Sequence, residues 1–439
     1  MIKKVDEFIK KQMSQSKIPG CFVIVIHEGK TVLKNSYGYA DVNNKIKVSN
    51  QTLFQLGSTS KALTASAILW MEEQLLLNRS DKINKYLPWF QAVYKGEKMD
   101  ITIEQLLCHT SGIPGNTIMD IVETGEKSRL EECIYPFLPF HLKTMPGKRF
   151  EYATINYDLL GCIIESINKC SFKSFLQEKV LKPLGMINTY LLEEDIIGCE
   201  VSKGYKIEGL RAREYKAPFY RSNVPAGYYM MNGIDLEKWL KYQLNITSEH
   251  LLSKVIKVSH DTEQAALVKD NTYYGNGWYI DKQNEAIYHY GRNPNFVSNI
   301  YIWPNKKTGV AILANSNSGY LDYMCRKIID ILEEKNDVKK DPDIFVIADY
   351  IATFIDIGAV GCILWKVLMN RQFIMINLVS CLIGLLGIVS LFGVIYWMNN
   401  HLIKLKHKVS FMNVWVPKSL IYAVFFLIGG LIYAMVLLL

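Results

Sequence analysis

The sequence predicts an α/β fold: an antiparallel sheet flanked by helices, with an inserted all-helical subdomain, followed by transmembrane α-helices. Strand-like segments lie near both ends of the first 340 residues, at 21–37 and 273–315, and helical periodicity dominates between them. A sheet assembled from both ends of a domain, with helices packed on it, is a common layered architecture. The last hundred residues contain apolar runs long enough to cross a bilayer.

The 439 residues are too many for one ordinary compact domain. We predict a globular domain at 1–340, with its helical subdomain at about 62–200, and a membrane domain at 341–439. The net charge of +8 is mild, and no basic cluster is interleaved with aromatic residues, so no nucleic-acid partner is expected. The nine cysteines lack Cys-x-x-Cys spacing, and phosphate-loop and zinc-protease motifs are absent. We therefore predict no metal and no cofactor.

The N-terminal segment predicts a helix followed by a hairpin. Residues 1–17 are charged and amphipathic, end before Pro19-Gly20, and lack the apolar core of a signal peptide. The apolar run 21–27 and residues 31–37 read as two strands joined by a tight turn.

Helical spacing of apolar residues then alternates with turn residues up to about residue 250. Strand-like runs return after residue 273, before a closing helix. The predicted helices lie near 61–77, 102–107, 156–168, 174–181, 234–244 and 320–334, and the predicted later strands near 274–280, 286–290, 296–303 and 309–314.

The stretch Gly57-Ser58-Thr59-Ser60-Lys61 places a serine and a lysine at the start of a long apolar helix. Residues three apart share a helix face, so both side chains can enter one pocket. A lysine kept neutral by burial can take the serine proton. Alternatively, Ser58 is an N-cap and Lys61 a solvated first-turn residue. Ser-x-x-Lys occurs three times, but only here does it follow an apolar strand-like segment and a glycine; the other two are Ser14/Lys17 and Ser166/Lys169.

Further stretches can supply partners to this serine. Tyr152 near Lys61 is expected to lose its proton more easily and act as general base or acid; alternatively it is one buried structural tyrosine among 26. The strand end at 289–292 is expected to be an edge beside the serine that binds an extended substrate and donates an oxyanion N–H, or to hold a histidine of no special role. His109 lies in a stretch that we interpret as a loop positioning helices.

The order of these motifs resembles the serine β-lactamase and penicillin-binding-protein superfamily, over about residues 5–335. The similar branch contains class C β-lactamases, D-alanyl carboxypeptidases, D-aminopeptidases and related esterases, and implies a β-lactamase/transpeptidase-like fold. The motifs are Phe54-x-x-Gly57-Ser58-x-Ser60-Lys61, Leu106-Leu107-x-His109-Thr110-Ser111-Gly112-Ile113-Pro114, Pro146-Gly147 with Phe150-x-Tyr152, Asn156-Tyr157-x-Leu159-Leu160-Gly161, Pro183-Leu184-Gly185-Met186, and His289-x-Gly291.

The resemblance implies a role for each matching residue. Ser58 resembles the acylated nucleophile, Lys61 its partner, and Tyr152 the tyrosine of the Tyr-x-Asn motif. His289-Tyr290-Gly291 stands where relatives have Lys-Thr-Gly or His-x-Gly. The N–H groups of Ser58 and Arg292 would form the oxyanion hole.

Two departures bear on the substrate. Thr154 replaces the Asn of Tyr-x-Asn; it can hydrogen-bond but cannot present an amide to a substrate carboxamide. His289 in place of lysine weakens a fixed positive charge for a substrate carboxylate, and Arg292 is the candidate to restore it. We predict Thr154, His289, Gly291 and Arg292 as substrate-binding residues.

The expected function is a membrane-anchored serine hydrolase that forms an acyl-serine on a D-amino-acid-containing peptide, amide or ester. The expected partners are a small peptide, amide, ester or β-lactam substrate and the lipid bilayer. The alternatives are a catalytically weak or inactive membrane sensor or immunity protein, and a β-lactamase or esterase. The domain order resembles the membrane-anchored Gram-positive members of the family (the Flp-like group) and membrane-bound D-aminopeptidases.

The tail predicts three spans, at about 344–366, 373–397 and 419–439. The first contains Asp349 and Asp356, which either form a polar face toward other helices or show that the span starts late. Lysines between the second and third spans favour a cytoplasmic catalytic domain, whereas the family resemblance favours the outside. We predict a multi-pass cell-membrane protein with an extracytoplasmic catalytic domain.

Overall fold

The chain divides into two compact units in the computed structural model, which describes residues 1–121, 129–247, 252–335, 338–340, 342–369, 414–424, 426–427 and 430. The first unit comprises Met1–Tyr205 and Tyr215–Lys340, and the second comprises Lys206–Glu214 and Asp341–Leu439.

The helices and strands of the described residues follow one another along both units. The strands are β1 Gly20–His27, β2 Lys30–Asp41, β3 Ile46–Lys47, β4 Phe54–Gln55, β5 Ala92–Tyr94, β6 Glu97–Lys98, β7 Phe140–His141, β8 Thr189–Tyr190, β9 Tyr205–Glu208, β10 Arg211–Glu214, β11 Met230–Met231, β12 Ala266–Lys269, β13 Thr272–Gly275, β14 Trp278–Asp281, β15 Ala286–Asn293, β16 Phe296–Trp303 and β17 Thr308–Ala314. The helices are α1 Ile2–Gln15, α2 Ser60–Glu73, α3 Ile103–Leu107, α4 Leu130–Ile134, α5 Ile155–Asn168, α6 Phe172–Leu176, α7 Val224–Gly227, α8 Gly233–Gln243, α9 Ser253–Ser259, α10 Leu321–Leu332 and α11 Ile344–Met369.

One large antiparallel sheet organises the first unit. Among the described residues its strand order is β12-β13-β14-β15-β16-β17-β1-β2-β3. The first and last parts of the unit meet where β1 pairs with β17, in a register that sets Cys21 opposite Ala314. The predicted sheet, assembled from both ends of the domain, is therefore confirmed.

Helices cover both faces of the sheet. Successive side chains of a central strand point to opposite faces, and in the central strands the side chains on both faces are apolar and buried. Val23 and Val25 of β1 belong to the apolar cluster that α1 and α10 complete. Ile24 and Ile26 point the other way, into the larger cluster that contains α2, α5 and α8. The second face carries the site, since α2 begins at the Ser58 turn.

The insertion predicted to be all-helical also contains strands. β5 pairs with β6 and, in parallel, with β7, forming a small sheet inside residues 62–200. These strands are only two or three residues long, so they leave almost no period-two signal in the sequence.

β15 is not the predicted edge strand, because β14 and β16 flank it. The pairing with β14 covers only residues 286–288. From His289 onward β15 keeps β16 as its partner, and its other side lies against the turn that carries Ser58. A Cβ built on Gly291 would lie 1.8 Å from the Leu56 carbonyl oxygen.

The second unit joins a hairpin to the C-terminal segment. The Asp349 carboxylate on α11 accepts hydrogen bonds from the backbone N–H groups of Gly209 and Leu210, at 2.8 and 2.9 Å, and from the Ser419 hydroxyl at 2.6 Å. The buried carboxylate of Asp349 therefore has its hydrogen-bond donors within its own unit, which offsets the cost of removing it from water.

Only part of the three predicted membrane spans lies within the described residues. Helix α11 covers the first, but no helix in the described part of the chain combines the length and apolar character needed to cross a membrane. The predicted span 373–397 lies outside the described residues, as does most of 419–439.

We expect Gly291→Ala to destabilise the first unit by about 1–3 kcal/mol, because its methyl group overlaps the Leu56 carbonyl and must force β15 away. Denaturant unfolding measures this change. Gly227→Ala is the control, since its Cβ meets only ordinary contacts at 3.7 Å or more. Equal stability of the two variants would contradict the close packing described here.

Candidate active site

A tight turn carries Ser58 from β4 into α2. The turn is a short 3-10 segment, Gly57–Thr59, in which Gly57 has a φ of +56°. A Cβ on Gly57 would lie 2.4 Å from the Arg292 nitrogen, so only glycine allows this conformation and this approach. The Ser58 side chain is half-buried, and the preceding Gly57 lies against the Gly291–Arg292 backbone.

Lys61 is fully buried and reaches the serine. Its Nζ donates to Ser58 Oγ at 3.1 Å, to Thr154 Oγ1 at 3.1 Å and to the Ala226 carbonyl at 2.7 Å. The alternative of a solvated first-turn lysine is therefore wrong. Burial lowers the pKa of Lys61 to about 7, although the charge of Asp158 acts in the opposite direction.

The three Lys61 contacts suit a neutral amine that acts as a base. A carbonyl oxygen only accepts hydrogen bonds, so one N–H must face Ala226. With the second N–H on Thr154, the lone pair of the uncharged amine faces Ser58. In that state the Ser58 hydroxyl donates its proton to Nζ, which activates the oxygen as a nucleophile.

Tyr152 lies next to the lysine but holds its proton. Its ring centroid is 5.2 Å from Lys61 Nζ. Burial raises the pKa of Tyr152, and the nearby Ser58 hydroxyl offsets this only in part. The prediction that this phenol loses its proton more easily is wrong, because desolvation of the phenolate dominates. Within the described residues the buried phenol oxygen makes no hydrogen bond of standard geometry, which leaves it available to a leaving group.

His289 lies behind Tyr152, not in contact with solvent. The imidazole has no exposed surface. Its Nδ1 donates to the Tyr290 carbonyl at 2.8 Å, which leaves Nε2 to accept from the Tyr274 hydroxyl at 3.2 Å. Burial first, and the Lys61 charge second, lower the pKa of His289 to about 3. The predicted contact of this side chain with substrate is therefore corrected. The neutral imidazole is buried and hydrogen-bonds the Tyr274 hydroxyl and the Tyr290 carbonyl.

The other predicted substrate-binding residues divide into two groups. Gly291 and Arg292 present their backbone at the Ser58 turn, where the predicted oxyanion N–H groups belong. Thr154 is almost fully buried, and its hydroxyl is used by Lys61. The structure thus gives Thr154 a contact with the base, and the oxyanion role of Ser58 and Arg292 stays a prediction.

A family model described as Beta-lactamase matches residues 5–331. The chain belongs to the Beta-lactamase family. Protein flp of Staphylococcus aureus (strain NCTC 8325 / PS 47) is 33% identical over 319 residues, which are 72% of this chain and 64% of that protein. The chain described here therefore spans slightly less than two thirds of the length of Protein flp.

Two further relatives of this Beta-lactamase family member agree with the assignment. PbpX of Bacillus subtilis (strain 168) is 26% identical over 313 residues, which cover 71% of this chain and 75% of that protein. The solved structure of an octameric penicillin-binding protein homologue from Pyrococcus abyssi superposes with a TM-score of 0.68 at 27% identity, covering 80% of this chain and 81% of that one. The β-lactamase-like α/β fold supports a serine hydrolase in general terms.

Three polar residues that the sequence analysis did not assign to the site line its inner wall. His109 is fully buried, its ring centroid 4.3 Å from that of Tyr152, and its Nδ1 lies 3.0 Å from Asn156 Nδ2. Asp158 is buried two residues further along α5. A signal for Asn156 and Asp158 is present in the sequence, because both interrupt the otherwise apolar run 155–164. Within the described ranges, no cluster of three or more ligating side chains is arranged to hold a metal ion.

We expect Thr154→Val to slow acylation of Ser58 about tenfold, because the valine keeps the shape but removes an acceptor of the Lys61 amine, at a cost of about 1 kcal/mol or more. Stopped-flow acylation by a p-nitrophenyl ester measures the rate. Thr189→Val is a matched control, since that buried hydroxyl bonds Asp235 instead. A control as slow as Thr154→Val would show that the loss is one of general stability.

Proposed function

We propose that the chain is a serine hydrolase that acts through an acyl-serine intermediate on a peptide, amide or ester containing a D-amino acid. One observation carries the proposal: the fully buried Lys61 amine, whose pKa is lowered toward neutrality, lies 3.1 Å from Ser58 Oγ. A hydrogen-bonded pair of nucleophile and base in a protected site is the arrangement that acyl transfer requires.

The first half of the reaction forms the acyl-enzyme. Neutral Lys61 takes the Ser58 proton as Oγ attacks the substrate carbonyl, and the developing oxyanion is bound by the N–H groups of Ser58 and Arg292. When the C–N or C–O bond breaks, protonated Tyr152 gives its proton to the leaving amine or alcohol. The phenolate regains a proton from the Lys61 ammonium, so both groups return to their starting state.

The second half reverses these roles with water. Lys61, through Tyr152, takes a proton from a water molecule that attacks the ester carbonyl of acyl-Ser58. Collapse of the second tetrahedral intermediate releases the carboxylic acid, and the proton returns to Ser58 Oγ. The overall reaction is a hydrolysis, in which one water molecule is consumed for each bond that is cleaved.

The part of β15 beside the Ser58 turn supports a substrate with extended backbone. Residues 289–292 lie beyond the β14 pairing and next to this turn, so a peptide-like chain bound over Ser58 would run along them. Arg292, which is half-buried and follows Gly291, is the candidate to bind a substrate carboxylate. The D-configuration of the substrate comes from the family resemblance, and relatives named as penicillin-binding make a β-lactam a natural probe.

A second candidate is a non-enzymatic sensor or immunity-type protein that uses the pocket for binding. Thr154 favours it, because the hydroxyl is engaged by Lys61 and offers no amide to the substrate. In that case Ser58 would bind without turnover. A β-lactamase or general esterase is the third candidate, and it would share the first half-reaction.

We expect wild-type protein to gain the mass of one acyl or phosphonyl group on Ser58 when treated with a panel of β-lactams, D-aminoacyl amides and esters, and a fluorophosphonate. The rate should fall as the pH drops below about 7, because protonation of Lys61 removes the base. Intact-protein and peptide mass spectrometry measure the adduct. An adduct of equal yield in Ser58→Ala would sink the proposal, whereas a stable adduct without turnover would favour the sensor.

We further propose that the apolar tail anchors the protein in the cell membrane with the catalytic unit outside. The apolar runs at 373–397 and 419–439 support this. Full-length protein should sediment with membranes, resist carbonate extraction and be cleaved by protease added to intact cells. Recovery in the soluble fraction would contradict the anchor, and protection from protease would reverse the orientation.

A further inference from the structure

Asp158 is a buried carboxyl group in the wall of the site that the reaction steps do not use. It lies on α5, four residues after Thr154, so the two side chains share a helix face. It is 1% exposed, and Thr154 on the same face binds the Lys61 amine. A buried carboxyl group is costly unless it is paired, so its presence in this wall calls for a reason.

One Asp158 oxygen links it to the segment that binds Lys61 from the other side. Asp158 Oδ2 accepts a hydrogen bond of 2.8 Å from the Asn223 amide. Asn223 leads directly into α7, whose Ala226 carbonyl accepts from Lys61 Nζ at 2.7 Å. The carboxyl group therefore helps to hold one of the three acceptors of the amine, the Ala226 carbonyl, in place through Asn223 and α7.

The other Asp158 oxygen, Oδ1, is buried without a hydrogen bond among the described residues. Burial raises the pKa of Asp158 to about 8, although the hydrogen bond from Asn223 and the charge of Lys61 act in the opposite direction. Asp158 in return raises the pKa of Lys61. The two groups are thus linked electrostatically without direct ion-pair contact.

The other titratable groups around the pair stay uncharged near neutral pH. Burial lowers the pKa of the two histidines and raises that of the phenols and the thiol. These groups are His109 and His289, the tyrosines Tyr152, Tyr157 and Tyr229, and Cys162.

We propose that Asp158 is a positioning residue for Lys61: through Asn223 and α7 it fixes the amine against Ser58, and its carboxylate form favours the ammonium form of that amine. This inference rests on the proposed function for its meaning, but the link between the two groups is a property of the folded chain that can be measured without turnover.

The experiment compares wild type with Asp158→Asn, which keeps an acceptor for Asn223 but removes the charge. The Lys61 midpoint is read in two ways: from the pH dependence of p-nitrophenyl ester acylation, and from ¹⁵N NMR of labelled lysine side chains, with the Lys61 signal assigned by its loss in Lys61→Met. Without the nearby negative charge the ammonium loses stabilisation, so both midpoints should move to lower pH by about one unit or more.

Two variants keep the test decisive. Asp235→Asn is the control, because Asp235 is equally buried but bonds Asn188 and Thr189 away from Lys61; its midpoints should match wild type. Asn223→Ala removes the donor that stabilises the Asp158 carboxylate and should move the Lys61 midpoint in the same direction by less. It carries the test if Asp158→Asn does not fold.

An unchanged NMR midpoint in Asp158→Asn, or in Asn223→Ala where only that variant folds, would overturn the inference. If wild type fails to react with the ester while the NMR midpoint still moves, the proposed function fails and the role of Asp158 in setting the state of Lys61 stands.

Discussion

The buried amine of Lys61 is the constraint on which the site depends. An ammonium or amine removed from water must have its N–H groups accepted by the protein. Here the acceptors come from the Ser58 turn, from Thr154 at the start of α5 and from Ala226 in α7. Three separate elements are therefore held at fixed distances from one nitrogen, and the nucleophile is fixed with them. The same burial keeps a large share of the amine uncharged near neutral pH, so packing and reactivity have one cause.

The parts of this arrangement that are local in sequence could be predicted. Ser58 and Lys61 are three residues apart at the start of a helix, so helical geometry alone brings them together. The strands near both ends of the first 340 residues are apolar runs bounded by turn residues. The Ala226 carbonyl lies 165 residues from Lys61 and is a backbone group. Since every residue carries one, no sequence pattern marks the carbonyl that a distant lysine will use.

The corrected predictions for Tyr152 and His289 share a different physical origin. Each required the degree of burial at a position, which depends on the whole fold. Tyr152 was expected to lose its proton near a lysine, but desolvation outweighs that influence. His289 and Tyr290 are neighbours on one strand with opposite exposure, 0% and 49%. Alternation indicates that they face opposite sides, and only the packed structure shows which side is covered.

The contact between Gly57 and the Gly291–Arg292 backbone affects how the site can tolerate side-chain replacement. Two segments meet here main chain to main chain, with no side chain between them. The distance between the Ser58 turn and β15 is then fixed by peptide geometry, whatever side chain position 292 carries. In the proposed hydrolase, replacement of Arg292 or its exposed neighbour Tyr290 would change the surface offered to a substrate and leave the approach of the two backbones unchanged.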